Sequence, residues 1–261
     1  MMINVDMIET NYPTYPINGG QTVTIKELPY FADEQYDLMN PKDATKFIKD
    51  LEGVVRTSFE YRQLMAFLRD TEGMNECTFL RNVTNTDNTN VRIEIHHTPF
   101  TLYDIAMSVT ARRVSHGESL DIFDVAKEIM WLHYAGWVGL IPVCETVHQM
   151  IHSAYLFVPT NVIRGDYEEF IDAYGAFIDT GVMEAAEKTE ATTLNFLENP
   201  DPSSFIIKQM ELFNIHPTQV RIENLVPRQE AVEEAKMLVR KRINQLKSGK
   251  PLLYRVVREP K

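Results

Sequence analysis

Cysteine is scarce in this sequence, which contains only Cys77 and Cys144. Two cysteines cannot form the disulfide framework of a small secreted domain, so we expect both to be buried, small hydrophobic residues in a reducing compartment. No apolar run reaches the roughly 18 residues that a membrane span requires, and the N-terminal residues lack the basic and apolar regions of a secretion signal. These absences predict a cytoplasmic protein that has no membrane partner.

Basic residues are also few, because 26 lysines and arginines stand against 37 aspartates and glutamates, giving a net charge of −11. Taken alone, this charge disfavours nucleic-acid binding. The charge is unevenly distributed, however, since residues 236–261 carry nine basic side chains and one glutamate, whereas residues 1–235 have a net charge of −19. The basic tail is either a solvated helix face with a disordered end, or an arm that contacts phosphates or an acidic partner.

Proline, glycine and asparagine mark the boundaries of the predicted elements. Asn40 and Pro41 suit the N-cap and first position of a helix, Gly53 is expected to interrupt it, and a second helix is predicted over 54–70. A strand is predicted at 91–97, preceded either by a hairpin partner or by a strand and a loop. A short strand in "QTVTIKEL" and another in "GLIPV" are also predicted. Further helices are predicted at 101–113, 121–135, 144–154, 167–179, 183–198, 202–213 and 229–247.

Four of the seven histidines form two pairs. His96 and His97 end an apolar-alternating run, "IEIHHTPF", and His148 and His152 lie four apart in "GLIPVCETVHQMIH". On a helix, that spacing stacks both rings on one face, within reach of one ion. Each pair alone is more typical of surface or core residues. A helical zinc-hydrolase motif does not fit, because Gln149 stands where that motif needs a glutamate base.

Together and in this order, the two blocks resemble the HNH, or His-Me finger, endonuclease family, whose site is a ββα unit around one divalent metal ion. The resemblance covers residues 91–155, less than a third of the chain. It implies a mostly helical α+β chain with a small embedded ββα-metal unit. The expected domains are an N-terminal irregular segment with helices (1–80), an HNH-like domain with a helical insertion (81–185), and a C-terminal helical segment with the basic tail (186–261).

The resemblance also implies a division of labour among the histidines. His96, His148 and His152 would bind the metal ion, and His97 would be the general base that activates water. Three imidazoles and open water positions suit Zn²⁺, Mn²⁺ or Ni²⁺, although some members of the family use Mg²⁺. Glu94 lies on the same strand face as His96, where it either fixes the orientation of an imidazole or is a solvent-facing residue.

The sequence departs from the family pattern just before the second strand. The family usually has an asparagine just before the second strand, which ties the connecting loop to the strand that carries the base, and here Gly139 stands in that place. Asn161 and His133 are candidates to take over this supporting role in space. The departure leaves open a degenerate unit that has lost catalysis.

Arg112, Arg113 and Arg164 are candidate phosphate contacts, although isolated basic residues on an acidic protein are more often ion-pair partners. Three functions follow. The first is a metal-dependent endonuclease that hydrolyses nucleic acid, with DNA as the expected substrate. The second is a non-catalytic phage or cellular accessory protein that retains a degenerate metal-binding unit and contacts protein partners through its helical ends. The third is a helical protein without metal. A phage-encoded chain would reside in the host cytoplasm or in the virion.

Overall fold

A computed structural model describes residues 36–85 and 91–225, two short strands near the N-terminus, and residues 233, 236 and 237. The predicted helix over 229–247 and the basic tail over 236–261 lie mostly outside the described residues. Within this part of the chain, no helix is both long and apolar enough to cross a membrane.

Helices make up most of the described chain. They are α1 (Pro41–Thr57), α2 (Phe59–Asp70), α3 (Leu102–His116), α4 (Ile122–Tyr134), α5 (Glu145–His152), α6 (Tyr167–Tyr174), α7 (Thr180–Glu198), α8 (Ser203–Glu211) and α9 (Ile222–Leu225). The helices predicted between residues 101 and 213 are confirmed, with ends that differ by a few residues. The fold class is likewise confirmed as mostly helical α+β.

The first two helices are divided at a different residue from the one predicted. Asn40 caps α1 as expected, with its side chain accepting the N–H of Lys42 at 3.0 Å. The predicted interruption at Gly53 is wrong, because α1 continues through it for another turn. A glycine inside a helix costs only about 1 kcal/mol, and burial of the flanking apolar residues offsets that cost. The division falls at Ser58, whose Oγ accepts the N–H of Tyr61 at 3.0 Å and starts α2.

Two antiparallel strand pairs complete the described architecture. The strands are β1 (Thr14–Pro16), β2 (Thr22–Thr24), β3 (Ile93–His97) and β4 (Leu140–Cys144). β1 pairs with β2, which lies in the predicted "QTVTIKEL" strand, and β3 pairs with β4. The hairpin alternative for the run before β3 is not formed in the described residues, where this run makes only two isolated bridges, Glu76 with Thr84 and Leu80 with Val220. The partner of β3 is instead the strand predicted in "GLIPV".

Two clusters of buried apolar side chains form the core. The first is built mainly from α1, α2, α3, α4 and α6. The second contains residues of α5, α7, α8 and the segment around Phe79. Leu140 of β4 belongs to the first cluster, whereas Ile141 and Val143 belong to the second. Both clusters draw on residues from several of the predicted domains, whose boundaries stay predictions.

Candidate metal centre

A ββα unit of β3, β4 and α5 brings the two histidine pairs together. His96 lies near the end of β3, opposite Ile141 of β4 in the strand register. α5 begins at the residue after β4 without a connecting loop, and it contacts both strands. His148 and His152 lie one turn apart on α5 and both face His96. The juxtaposition predicted from the two sequence blocks is therefore present in the structure.

The three rings are closely packed around a common point. The ring centroid of His96 lies 4.8 Å from that of His148 and 5.1 Å from that of His152, and the latter two centroids are 4.5 Å apart. One nitrogen from each ring lies within 4.8 Å of the other two. Four-coordinate zinc with Zn–N bonds of about 2.0–2.1 Å implies N···N separations of about 3.3 Å. Small ring rotations would bring all three nitrogens to that spacing, so the residues fit a divalent transition metal.

Glu94 fixes the orientation of one of these imidazoles. Its Oε2 lies 2.6 Å from Nδ1 of His148, and because a carboxylate can only accept, Nδ1 of the neutral ring donates. The lone pair of His148 then resides on Nε2, which lies 3.0 Å from Nε2 of His152. A carboxylate that holds a histidine through its remote nitrogen is the usual support for a metal-binding imidazole. Of the two alternatives for Glu94, its position favours the orienting role.

Burial and mutual repulsion favour the uncharged form of His96 and of His152. The pKa of His96 is lowered to about 4 by burial first, and then by the neighbouring His148 and His152. The pKa of His152 is also lowered, by its partial burial and by His148, although Glu94 opposes this shift. Because only a neutral imidazole can donate a lone pair, these shifts favour metal binding at neutral pH.

His97 points away from the other three rings and bonds to a fifth histidine. Its Nε2 lies 2.9 Å from Nε2 of His133, whose Nδ1 lies 2.8 Å from the carbonyl oxygen of Ile129. Since the carbonyl only accepts, His133 carries its proton on Nδ1 and accepts at Nε2 from His97. The neutral ring of His97 therefore has its free lone pair on Nδ1. The ring also stacks against Tyr61, with centroids 6.4 Å apart and planes at 7°.

The environment of His97 is more enclosed than a base facing water would require. The residue is only 6% exposed, and burial, followed by His133 and Arg56, holds its pKa well below the usual range. His97 nevertheless borders the same cavity as the three clustered histidines.

A glycine is required at position 139 because the backbone of Thr98 approaches this residue closely. A Cβ at this position would lie 2.0 Å from the carbonyl oxygen of Thr98 and 2.9 Å from a methyl carbon of Ile163. The N–H of Thr98 donates to the carbonyl oxygen of Gly139 at 2.9 Å. No asparagine fits here. The strand that carries His97 is tied to the neighbouring loop through the backbone instead.

The two candidates for the supporting role have different positions. His133 lies beside His97, as described above. Asn161 does not border the histidine cavity; it borders a second cavity of about 290 Å³, where its Oδ1 is buried and has no hydrogen-bond partner. The structure thus places only His133 where it can orient the proposed base.

The predicted phosphate contacts do not line the histidine cavity either. Arg112 and Arg113 both pair with Glu128, which also accepts from the hydroxyl of Tyr174 at 2.6 Å. Arg164 borders the second cavity and donates to the carbonyl oxygen of Glu72 at 2.8 Å. The first two arginines act as ion-pair partners within the helical body, which is the alternative that the acidic composition suggests.

Three other arginines line the histidine cavity, whose volume is about 310 Å³. They are Arg56, Arg69 and Arg92. Arg56 and Arg69 lie in the last turns of α1 and α2, where basic residues commonly stabilise the helix end. Sequence analysis missed them because nothing local distinguishes this common role from contact with an anion, and because both lie far from the histidines along the chain.

Comparison with known proteins gives one result. A family model described as "Bacteriophage G278-like virion protein" matches residues 18–243. No curated protein and no solved structure matches the chain.

Proposed function

The chain belongs to the bacteriophage G278-like virion protein family, and from that premise we propose that it is a virion-associated, metal-dependent endonuclease that hydrolyses phosphodiester bonds, with DNA as the first substrate to test. The observation that carries the proposal is the convergence of the His96, His148 and His152 nitrogens within 4.8 Å, in a cavity that arginines also line. Family membership supports the phage origin and the virion location. The proposed endonuclease activity is based instead on the histidines and arginines that line the cavity.

The arginines that line the cavity favour the binding of an anion. Arg69 has no carboxylate within ion-pair distance among the described residues. Arg92 pairs weakly with Glu94, because the two side chains are 3.7 Å apart and 79% of the arginine side chain is exposed. Arg56 pairs loosely with Glu52 at 3.5 Å. A phosphate is an anion that guanidinium groups bind through two parallel hydrogen bonds. This concentration of positive charge stands out on an otherwise acidic chain.

A divalent cation held by the three imidazoles would neutralise charge on the phosphate oxygens and stabilise the departing oxyanion. Imidazole ligands favour Zn²⁺, Mn²⁺ or Ni²⁺ over Mg²⁺, which prefers oxygen. Glu94 holds His148 in the tautomer that leaves Nε2 free for the cation. The exposed position of His152 leaves one side of the cluster open to solvent.

His97 is the proposed general base, and Nδ1 is the atom that takes the proton from the attacking water. His133 accepts from Nε2 of His97 and keeps that tautomer in place. Burial is the main cause of the low pKa of His97, and His133 and Arg56 add to it; a phosphate that pairs with Arg56 would relieve the part due to Arg56. Substrate binding would thereby make the ring more basic where a base is needed.

The test compares metal content and DNA cleavage in the same preparations. The purified chain should contain about one equivalent of a transition metal and should nick supercoiled plasmid, and a chelator should abolish the nicking. H97A should retain metal and lose cleavage by about 100-fold or more, whereas H148A should lose both. H116A is the matched control, because His116 lies at the exposed end of α3. A wild-type chain that binds no metal would refute the proposal.

One alternative has support of its own. The enclosed position of His97, which is 6% exposed, and the absence of a side chain at residue 139 both suit a ββα unit that binds metal for structure alone. The chain would then be a structural virion component. Metal binding without cleavage of any DNA or RNA substrate would favour this alternative over the endonuclease.

A further inference from the structure

We infer that the hydroxyl of Tyr61 is a further substrate contact in the histidine cavity, where it donates a hydrogen bond to a non-bridging oxygen of the phosphate that is cleaved. The inference rests on the proposed function, because it names a neutral donor for the phosphate that the proposed site binds. Tyr61 is the third residue of α2 and borders the cavity together with His97.

Tyr61 differs from the other buried tyrosines in its hydrogen bonding. Three tyrosines are buried in the described part of the chain, namely Tyr61, Tyr167 and Tyr174. The hydroxyl of Tyr174 donates to Glu128 at 2.6 Å. That of Tyr167 donates to Glu190 at 3.4 Å. The hydroxyl of Tyr61 makes no hydrogen bond with the described residues. Because a buried phenol usually has a partner, this donor is available to a ligand.

The hydroxyl of Tyr61 can be reached from the cavity. The polar side-chain atoms that are fully buried without a hydrogen bond in the described residues do not include it. Part of its surface is therefore accessible, although the residue as a whole is only 7% exposed. Since Tyr61 borders the histidine cavity, an acceptor that enters this cavity can approach the hydroxyl.

The ring of Tyr61 is held in place from two sides. At the start of α2, Oγ of Ser58 accepts the N–H of Tyr61 at 3.0 Å and donates to the carbonyl oxygen of Val55 at 2.8 Å. The ring packs edge-on against His133, with centroids 5.7 Å apart and planes at 82°, and it lies parallel to His97. The donor is thus oriented before a substrate binds, as electrostatic stabilisation of a transition state requires.

Two cations accompany this donor. Tyr61, Met65 and Arg69 are four residues apart on α2, a spacing that puts them on one helix face, and all three line the cavity. Arg56 lines it from the end of α1. Burial raises the pKa of Tyr61, although Arg56 and then Arg69 oppose this shift, so the hydroxyl stays protonated at neutral pH. One neutral donor beside two guanidinium groups suits an anion with several oxygens, such as a phosphate.

The position beside His97 gives the contact its role. A phosphate that is close enough for attack by a water on His97 also lies beside the Tyr61 ring. A hydrogen bond from the hydroxyl to a non-bridging oxygen would stabilise the charge that the phosphate carries in the transition state. The hydroxyl keeps its proton throughout. Loss of one such donor should reduce the rate by about 10- to 100-fold.

The experiment measures kcat/KM for plasmid nicking by the full, metal-loaded chain. Y61F should reduce kcat/KM by about 10- to 100-fold, and it should leave metal content and melting temperature unchanged because it removes only an unbonded hydroxyl. Y134F is the matched control. The hydroxyl of Tyr134 donates to the carbonyl oxygen of Glu60 at 3.1 Å, and Tyr134 does not line the cavity, so cleavage by Y134F should equal that of the wild type.

A second variant and a pH profile separate the hydroxyl from the ring. Y61L removes both, whereas Y61F keeps the ring that lies parallel to His97. Wild-type cleavage by Y61F together with impaired cleavage by Y61L would overturn the inference, because the ring alone would then matter. The pH profile of Y61F should have the same midpoints as that of the wild type. A shifted midpoint would also overturn the inference, since Tyr61 would then act through the base.

The outcome for the wild type distinguishes this inference from the proposed function. A wild-type chain that binds metal and cleaves no DNA would remove the proposed endonuclease activity and the role of Tyr61 with it. A wild-type chain that cleaves DNA no faster than Y61F would overturn the role of Tyr61 alone. If Y61L does not fold, the comparison of Y61F with Y134F still decides the question.

Discussion

Glu94 of β3 and His148 of α5 are joined by a contact of 2.6 Å between Oε2 and Nδ1. This contact links the strand that carries His96 to the helix that carries the other two imidazoles. The first prediction concerns this link. E94Q should bind zinc about 10- to 100-fold more weakly than the wild type, because an amide does not hold the imidazole as strongly as a carboxylate does. Titration against a chromophoric chelator measures the affinity.

The control for E94Q is E184Q, since Glu184 is exposed on α7 and does not line the histidine cavity. It should leave zinc affinity unchanged. Equal affinities in E94Q and the wild type would show that the carboxylate is only a solvent-facing strand residue.

The second prediction concerns two glycines with opposite expected effects. G139A should lower the free energy of unfolding by about 2–4 kcal/mol, because its Cβ would meet the Thr98 carbonyl oxygen at 2.0 Å. G53A should raise it by about 0.5–1 kcal/mol, because no atom lies within 4 Å of the new Cβ and alanine favours the helix. Chemical denaturation measures both. Similar values for the two variants would contradict the close approach at Gly139.

The third prediction concerns the buried ring of His133. Its pKa is lowered to about 4, chiefly by burial, whereas in the unfolded chain it is about 6.5. Above pH 6.5 the ring is neutral in both states and its contribution to stability is complete. As the pH falls towards 4, the unfolded chain takes up a proton that the folded chain does not, so stability decreases by up to about 3 kcal/mol.

H133Q should therefore be less stable than the wild type at pH 7.5 but lose less stability on acidification to pH 4.5. Denaturant unfolding at several pH values, with metal removed from both proteins, measures this difference. Parallel pH profiles for the two proteins would show that His133 does not contribute to the acid sensitivity.

The fourth prediction distinguishes the cavity arginines from those proposed on sequence alone. R69Q should reduce cleavage of DNA about tenfold or more, mainly by raising KM, because it removes a charged hydrogen-bond donor to phosphate. R164Q should not change cleavage, because Arg164 borders the other cavity. Plasmid nicking at several substrate concentrations measures both. A larger loss of cleavage in R164Q than in R69Q would instead assign the phosphate contact to Arg164, which was predicted from the sequence.

Local patterns predicted the parts of the site that local geometry determines. The four-residue spacing of His148 and His152 predicts a shared helix face, and alternation along 91–97 predicts that Glu94 and His96 share a strand face. The order of the two blocks indicated that they meet. These features survive in the structure because helix and strand periodicity is fixed by the backbone.

These local patterns could not predict contacts between residues that are distant in the sequence. Nothing near Arg69 indicates that the end of α2 faces β3. The bond between His97 and His133 depends on how α4 packs against α2 and β3. The interruption expected at Gly53 was wrong for a related reason, since tertiary burial of the neighbouring apolar residues outweighs the low helix propensity of glycine.

Neighbouring residues of β4 bury their side chains on opposite sides, with Leu140 in one hydrophobic cluster and Ile141 in the other. The two-stranded sheet therefore lies between the two halves of the core and contacts both of them. The three imidazoles beside this sheet are therefore not supported by a separate core of their own. Loosening either half would move His96 relative to α5, so the ability to hold a cation reports on the integrity of both halves together.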